Sequence, residues 1–338
     1  MNGNSKGWLR RAGEYMSFND IIGQDIAVRS IKSMIEKDEV RGSYLFLGPD
    51  GVGKRTLALE FAKAINCEGH GEVPCDECAS CRKIKEGNHP DILSIYPEGK
   101  SRSIKIDIIR EIIYQSSLKP YEAKKRFFII NDSSSMTEES QNALLKLLEE
   151  PPRNHILILT ALNTAGLLPT VCSRCKTLKF YLIQKNRIEE LLKKRDICDM
   201  EAVLFSHMSL GSIGKAFSFK EKDMISKRDK VINDFFFKKT AILRENVLDR
   251  DGKEDIEDLL YILLSWYRDL LIAKFTGDKE SLLNIDRAEE IASLEERFSK
   301  ERIEKDIFNI MDTASNIRRN VNPKLALFNM AVELKRGQ

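Results

Sequence analysis

A glycine-rich segment at residues 48–54 has the spacing of a phosphate-binding loop. It reads Gly-Pro-Asp-Gly-Val-Gly-Lys and completes the G-x-x-x-x-G-K frame, in which backbone N–H groups and the lysine hold phosphate oxygens. The following residue normally supplies a hydroxyl to Mg²⁺, but here it is Arg55. A cation cannot ligate a cation, so we expect this loop to cradle the phosphates of ATP or ADP at most, without hydrolysis. The candidate nucleotide-binding residues are Gly48, Gly51, Val52, Gly53, Lys54, Arg55 and Thr56.

A site that hydrolyses nucleotide also needs a carboxylate at the end of a neighbouring strand. The apolar run Arg126–Ile130 predicts a buried strand, and Asn131 and Asp132 follow it. Asn131 stands where Mg²⁺ would require an Asp, and a neutral amide is a weaker ligand for this ion. The alternative interpretation is an ordinary core strand with a polar end. Taken together with Arg55, Asn131 indicates that two metal ligands have been lost.

Four cysteines lie within fifteen residues of one another, as Cys67-x₇-Cys75-x₂-Cys78-x₂-Cys81. Four thiolates in a polar segment fit a tetrahedral site, and Zn²⁺ is the usual occupant of such a site when its role is structural. The spacing differs from two paired C-x₂-C knuckles, and four free thiols on a loop are the alternative. We expect a structural zinc site.

A third candidate is the arginine of Ser173-Arg174-Cys175. Arginine stabilises the charge on a transferring phosphoryl group and can be supplied in trans by a neighbouring subunit. A lone loop arginine is more often a surface charge, so the tripeptide alone does not decide between the two. Cys172 and Cys175, which flank it, are interpreted as small packed side chains rather than metal ligands.

The predicted secondary structure changes near Phe180, from alternating strands and helices to helices alone. Before it, strand-like and helix-like segments alternate, which predicts an α/β module with a parallel sheet and helices on both faces. After it, apolar residues recur at helical spacing, most clearly over Ile256–Phe275. The predicted strands are Ser43–Leu47, Arg126–Ile130 and Ile156–Thr160, and the predicted helices before residue 180 are Lys54–Asn66, Ile106–Leu118 and a helix from the N-cap Thr137 to Glu150. The expected domains are a tail at 1–16, the α/β module with its cysteine insert (67–81) at 17–180, and two helical domains at 181–235 and 236–338.

Composition limits the functional classes. A chain of 338 residues is long enough for two or three domains. Its net charge of +3, with both signs mixed, is too balanced for a dedicated nucleic-acid binder. We expect no membrane span and a cytoplasmic location, because no apolar run reaches about 18–20 residues and the first residues are polar.

In this order, the motifs resemble those of bacterial clamp-loader subunits of the AAA+ class. The resemblance covers about residues 17–335 and implies the AAA+ fold: a nucleotide-binding module, a small helical lid at 181–235 and a helical collar at 236–338 that holds an oligomer together. The segments that carry it are Phe18–Gln24, Leu45–Lys54, the four-cysteine insert, His89–Asp91, Asn142–Pro152, Ser173–Cys175, Gly211–Ala216 and, more weakly, Asn320–Leu325.

Two kinds of subunit share this layout in that family. The motor subunits, gamma and tau, hydrolyse ATP, whereas the delta-prime kind keeps the fold and often has an impaired nucleotide site. Three departures from the motor pattern favour the delta-prime kind: Arg55, Asn131, and Gly214 where a motor subunit carries its sensor-2 arginine. The arginine that acts in trans in this family maps onto Arg174.

The resemblance implies a non-motor, stator-like role in loading the sliding clamp onto primed DNA. The implied partners are gamma/tau-type ATPase subunits and a delta subunit in a hetero-oligomer, with the clamp and primer-template DNA met through the assembled complex. The chain would be part of the DNA polymerase III holoenzyme without being an ATPase on its own.

Two alternatives remain. An active motor subunit would have to hold Mg²⁺ through Thr56 and Asp132, although Thr56 is rotated by about 100° along the helix from the ligand position. An AAA+ partner of a DNA-repair helicase is the other alternative, and the cysteine insert and collar-like end argue against it.

Overall fold

A computed structural model describes residue 18 and residues 21–69, 73–99, 102–237, 253–319 and 321–335. The chain forms two compact units. The first runs through Arg187 and includes Ser212–Gly214, and the second comprises Ile188–Gly211 and Lys215 onward. The predicted tail at 1–16 lies outside the described residues, and the division into lid and collar stays a prediction.

The first unit is built on a five-stranded sheet in the order β2-β3-β4-β1-β5. Every pairing in it is parallel, which confirms the predicted α/β class. Its elements are α1 (Asp25–Glu36), β1 (Gly42–Leu47), α2 (Lys54–Asn66), α3 (Ala79–Glu86), β2 (Ile92–Ile95), α4 (Ile106–Ser117), β3 (Arg126–Ile130), α5 (Glu138–Glu149), β4 (His155–Ala161), α6 (Pro169–Cys172) and β5 (Lys176–Lys179).

Helices cover both faces of this sheet, so its central strands β3 and β4 are mostly apolar and are buried at every position. Because successive side chains of a strand point to opposite faces of the sheet, they pack alternately in two hydrophobic cores, one on each face. Tyr44 and Phe46 pack in a core that includes residues of α1 and α2, whereas Leu45 packs with residues of α4, α5 and α6. A continuous apolar run is the pattern expected of a parallel strand buried on both sides.

The second unit is helical in its described residues. Its longest helix, α11 (Lys253–Thr276), confirms the helix predicted over Ile256–Phe275 and buries Trp266 and Tyr267 fully. The helices after residue 184 are α7 (Lys185–Lys194), α8 (Asp199–Met208), α9 (Ile213–Glu221), α10 (Met224–Ile232), α11, α12 (Ala288–Glu295), α13 (Lys300–Arg318) and α14 (Pro323–Lys335), with a π-helical turn at Asn233–Phe237.

A buried ion pair fixes the loop that leads into β3. The carboxylate of Asp91 is fully buried and accepts hydrogen bonds from Nε (2.9 Å) and Nη2 (2.7 Å) of Arg126. It also accepts from the backbone N–H groups of Tyr121, Glu122 and Ala123 at 2.8–2.9 Å. Burial alone would raise the pKa of Asp91, but these three N–H groups and the guanidinium lower it to about 2.

Replacing Asp91 with Ala should lower the free energy of unfolding by about 3–5 kcal/mol, because the buried charge of Arg126 loses its partner. Urea denaturation measures the change, and Asp107→Ala on the exposed surface of α4 is the matched control. The pKa of Asp91 is lower in the folded state, so its stabilising contribution is complete above pH ~4 and declines towards pH ~2. An equal, small effect of both substitutions would contradict the prediction.

Candidate functional site

The predicted phosphate-binding loop connects β1 to α2, and Lys54 is the first residue of α2. Gly53, the N-cap of α2, has a φ of +101°, and Gly51 has a φ of +73°. Both values lie in the left-handed region, which glycine enters without a steric penalty. The glycine spacing thus places a tight turn directly before a helix N-terminus, where backbone N–H groups can hold an anion.

The side chain of Lys54 lies along this loop. Its Nζ donates to the backbone carbonyl of Gly48 and to that of Pro49 (2.8 Å), and it pairs with the carboxylate of Asp50 at 3.3 Å. Burial lowers the pKa of Lys54, and the attraction of Asp50 opposes that shift. Lys54 therefore donates hydrogen bonds to carbonyl groups of its own loop. It occupies the lysine position of the phosphate-binding motif at the start of α2.

The positions that would ligate Mg²⁺ do not fit the ion. The guanidinium carbon of Arg55 lies 5.4 Å from the ring centroid of Tyr96. Burial lowers the pKa of Arg55, yet an arginine stays charged in proteins, so residue 55 carries a positive charge and no oxygen ligand for a metal. The buried Asn131 directs its Nδ2 to the carbonyls of Ile95 (3.2 Å) and Ile129 (3.4 Å).

Of the two groups of the motor alternative, Asp132 lies close enough to Lys54 for its charge to oppose the lowering of that lysine's pKa by burial. Asp132 has a φ of +51°, and its Oδ2 accepts a hydrogen bond from the hydroxyl of Ser135 at 2.6 Å. Thr56 follows Arg55 on α2, and each helical residue turns the side chain by about 100°. The loop therefore has the backbone geometry of a phosphate site, whereas Arg55 and Asn131 do not offer the ligands that a phosphate-bound Mg²⁺ needs.

A second segment, Ser212–Gly214, packs directly on the loop within the first unit. The hydroxyl of Ser212 donates to the carbonyl of Asp50 at 2.7 Å, and the N–H of Gly214 donates to the carbonyl of Gly51 at 2.8 Å. A Cβ on Gly214 would lie 2.9 Å from the Cα of Gly51, a contact that requires a shift. This explains in steric terms why residue 214 is a glycine. Sequence reasoning noted Gly214 but missed the contact.

The four insert cysteines converge. The sulfurs of Cys67, Cys75, Cys78 and Cys81 all lie within 4.8 Å of one another. Cys67 caps the end of α2 and Cys78 caps the start of α3, so two helix ends hold the insert. Four soft donors at this separation suit a tetrahedral zinc ion, whose Zn–S bonds are about 2.3 Å long.

Backbone N–H groups donate to three sulfurs of this cluster and favour the thiolate form of Cys75. The N–H groups of Cys75, Cys78 and Cys81 donate to the sulfurs of Cys67, Cys75 and Cys78, each at 3.4 Å. Such bonds lower the pKa of Cys75 to about 6, whereas burial raises the pKa of Cys67 and of Cys81. Metal ligands are commonly oriented by outer hydrogen bonds of this kind.

An ion pair joins the insert to α2. Lys63 on α2 is almost fully buried, and its Nζ contacts the carboxylates of Glu60 (2.6 Å) and Asp76 (2.5 Å). Asp76 lies between the second and third cysteines. The insert is therefore fixed to the helix that begins at the phosphate-binding loop.

Arg174 lies in the turn between α6 and β5. Its Nε and Nη2 donate to Oε1 of Glu149, at 2.9 and 2.6 Å, and its Nη1 donates to the carbonyl of Thr170 at 3.0 Å. A third of the side chain remains exposed. Neighbouring Cys172 and Cys175 pack against the core, and burial raises the pKa of Cys175 to about 12, so it remains a thiol.

Arg174 and the phosphate-binding loop lie at opposite edges of the sheet. The loop follows the carboxyl end of β1, whereas Arg174 precedes the amino end of β5, and β5 pairs in parallel with β1. The four residues of β5 separate the two edges by about 13 Å. Arg174 therefore does not serve the loop of its own chain.

Comparison with known proteins identifies relatives over most of the sequence. A family model described as "DNA polymerase III, delta subunit" matches residues 23–184, and one described as "DNA polymerase III, delta subunit, C terminal" matches residues 222–336. The DNA polymerase III subunit delta' of Bacillus subtilis is 28% identical, with 93% of this chain and 97% of the relative covered.

A relative named as a tau subunit matches over a smaller share of its own length. The DNA polymerase III subunit tau of Bacillus subtilis is 32% identical over 67% of this chain, and the chain spans 39% of that relative. A solved gamma subunit-related protein from Thermotoga maritima has a TM-score of 0.46 at 19% identity, covering 91% of this chain and 99% of that one. Of the residues that the structure describes, none belongs to a helix long and apolar enough to cross a membrane.

Replacing Cys78 with Ser should weaken zinc binding by more than about 100-fold, because even outer partners of metal ligands account for 10–100-fold in affinity. Metal analysis of the purified chain should give one zinc per molecule for the unmodified protein and little for the variant. Cys198→Ser is the control, since Cys198 is exposed and lies outside the cluster. An unmodified chain that holds no zinc and binds none in a chelator competition would contradict the assignment.

Proposed function

The chain belongs to the DNA polymerase III delta subunit family of clamp-loader proteins, and we propose that within the clamp loader it is a non-motor subunit of the delta-prime kind. In this role it helps to load the sliding clamp onto primed DNA without hydrolysing ATP itself. Arg174 then acts in trans at the nucleotide site of an adjacent ATPase subunit, and the cysteine cluster holds a structural Zn²⁺.

One observation carries this proposal. The residues that would bind the chain's own nucleotide lack metal ligands, whereas the arginine that would act on a neighbour's nucleotide is present and exposed. Arg55 and Asn131 stand in place of the metal ligands. The arginine, Arg174, lies at the other edge of the sheet and is held by Glu149. Phosphoryl transfer needs both a metal ion, held by the nucleotide-binding residues, and an arginine that stabilises the transferred phosphoryl group.

The last two helices support a hetero-oligomeric role for the proposed collar, residues 236–338. Their outer faces carry large apolar side chains that are exposed in the single chain, including Phe308 (72% exposed) and Met311 on α13. Leu325 and Phe328 are the corresponding residues of α14. Exposed apolar surface of this kind is typical of subunit interfaces. We propose gamma/tau-type ATPase subunits and a delta subunit as the partners.

The remaining assignments follow from the same role. Residues 181–235 form the lid, the clamp and primer-template DNA are met through the assembled complex, and the complex works in the cytoplasm. ATP or ADP can occupy the loop of residues 48–54 through its N–H groups and Lys54, without turnover.

Nucleotide turnover by the isolated chain separates this proposal from the motor alternative. Equilibrium titration and a phosphate-release assay on one preparation should give binding without turnover, or no binding. The reason is that Arg55 and Asn131 cannot hold the metal. Mg²⁺-dependent turnover that is lost in Lys54→Ala would instead identify a motor subunit.

Arg174→Ala should lower the ATPase rate of the reconstituted complex of this chain with its motor and delta subunits. Arginines that act in trans contribute roughly 10³–10⁵ to the rate at the site they face. Arg153→Ala is a suitable control, because Arg153 is also an exposed arginine of the first unit. An unchanged rate in a correctly assembled complex would refute the role of Arg174.

A further inference from the structure

The geometry assigns a positioning role to Glu149, the last residue of α5: it fixes the guanidinium of Arg174 in the orientation needed by a neighbouring nucleotide site. This inference rests on the function proposed above for Arg174. It adds a residue that makes no contact with nucleotide in that proposal and acts only through the arginine.

The hydrogen bonds constrain the guanidinium from two sides. Both Nε and Nη2 of Arg174 donate to one oxygen of Glu149, and Nη1 donates to the carbonyl of Thr170. A guanidinium has five N–H donors, and the contacts within the described part of the chain engage three of them. One N–H on each terminal nitrogen is therefore left for an incoming anion.

Orientation matters because an unrestrained arginine has several rotatable bonds. Immobilising such a side chain at the moment of reaction costs entropy, and a group held in place beforehand avoids that cost. The N–H groups of Nε and Nη2 converge on one oxygen of Glu149, and Nη1 donates to the carbonyl of Thr170, so the three bonds together restrict the plane and the position of the guanidinium. Arg174 is therefore presented in a fixed plane although a third of it is exposed.

The stability of α5 does not explain the acidic residue at this position. Glu149 is in the last turn of its helix, where the helix dipole disfavours a negative charge. The pair is also exposed, with half of the Glu149 side chain accessible, and surface ion pairs contribute little to folding. An acidic residue here is explained by what it does to Arg174.

The test compares Glu149→Ala with Arg174→Ala in the same reconstituted complex. Glu149→Ala should lower kcat for ATP by about 10-fold, less than the loss in Arg174→Ala, and leave KM unchanged, because the lost orientation matters in the transition state. Glu149→Gln, which retains an oxygen acceptor, should recover part of kcat. The double variant should match Arg174→Ala, because Glu149 acts only through the arginine.

Glu150→Ala is the matched control, since Glu150 is the adjacent residue and is exposed like Glu149. Thermal unfolding of each variant checks that the first unit remains folded. If Arg174→Ala lowers kcat and Glu149→Ala does not, or raises it, Glu149 does not position the arginine and the inference fails alone. If Arg174→Ala has no effect, the proposed function itself fails.

Discussion

The common direction of the five strands is the constraint on which the rest of this molecule depends. Because every pairing in the sheet is parallel, all carboxyl ends lie at one edge and all amino ends at the other. The phosphate-binding loop occupies the first edge, and Arg174 precedes the strand that begins at the second. The loop and Arg174 of one chain therefore lie at opposite ends of the strands and do not meet in one site. Any role of Arg174 in phosphoryl transfer has to involve another subunit.

The contacts of the glycine-rich loop give it a structural role that does not depend on a metal. Lys54 donates hydrogen bonds to the carbonyls of Gly48 and Pro49, and buried carbonyl groups are costly to leave unsatisfied. Gly51 lets the segment Ser212–Gly214 approach closely enough for two hydrogen bonds. The glycines and the lysine therefore hold the first unit together whether or not nucleotide binds.

Most of the secondary structure of the first unit follows from its sequence, and most side-chain pairings do not. The strand Arg126–Ile130 and the helix Lys54–Asn66 were predicted with the bounds that the structure has, because apolar periodicity and the glycine loop are local signals. The cysteine spacing likewise predicted the convergence of four sulfurs. By contrast, Glu149 and Arg174 are 25 residues apart in sequence. Only the packing of α5 beside α6 brings them together, and no spacing rule encodes that contact.

The residues at positions 55 and 131 also bear on how, under the proposed function, this chain would hold Arg174 in one orientation. A ligand shifts a conformational equilibrium only by the difference in its affinity for the two states. In an active site that difference depends largely on the metal, which bridges the β and γ oxygens in ATP. Arg55 offers no metal ligand, and the amide of Asn131 is bonded to backbone carbonyls, so under the proposed function ATP and ADP would differ little in affinity for this chain. A subunit of the proposed kind would then change conformation little with its nucleotide state, and the edge that carries Glu149 and Arg174 would keep one geometry.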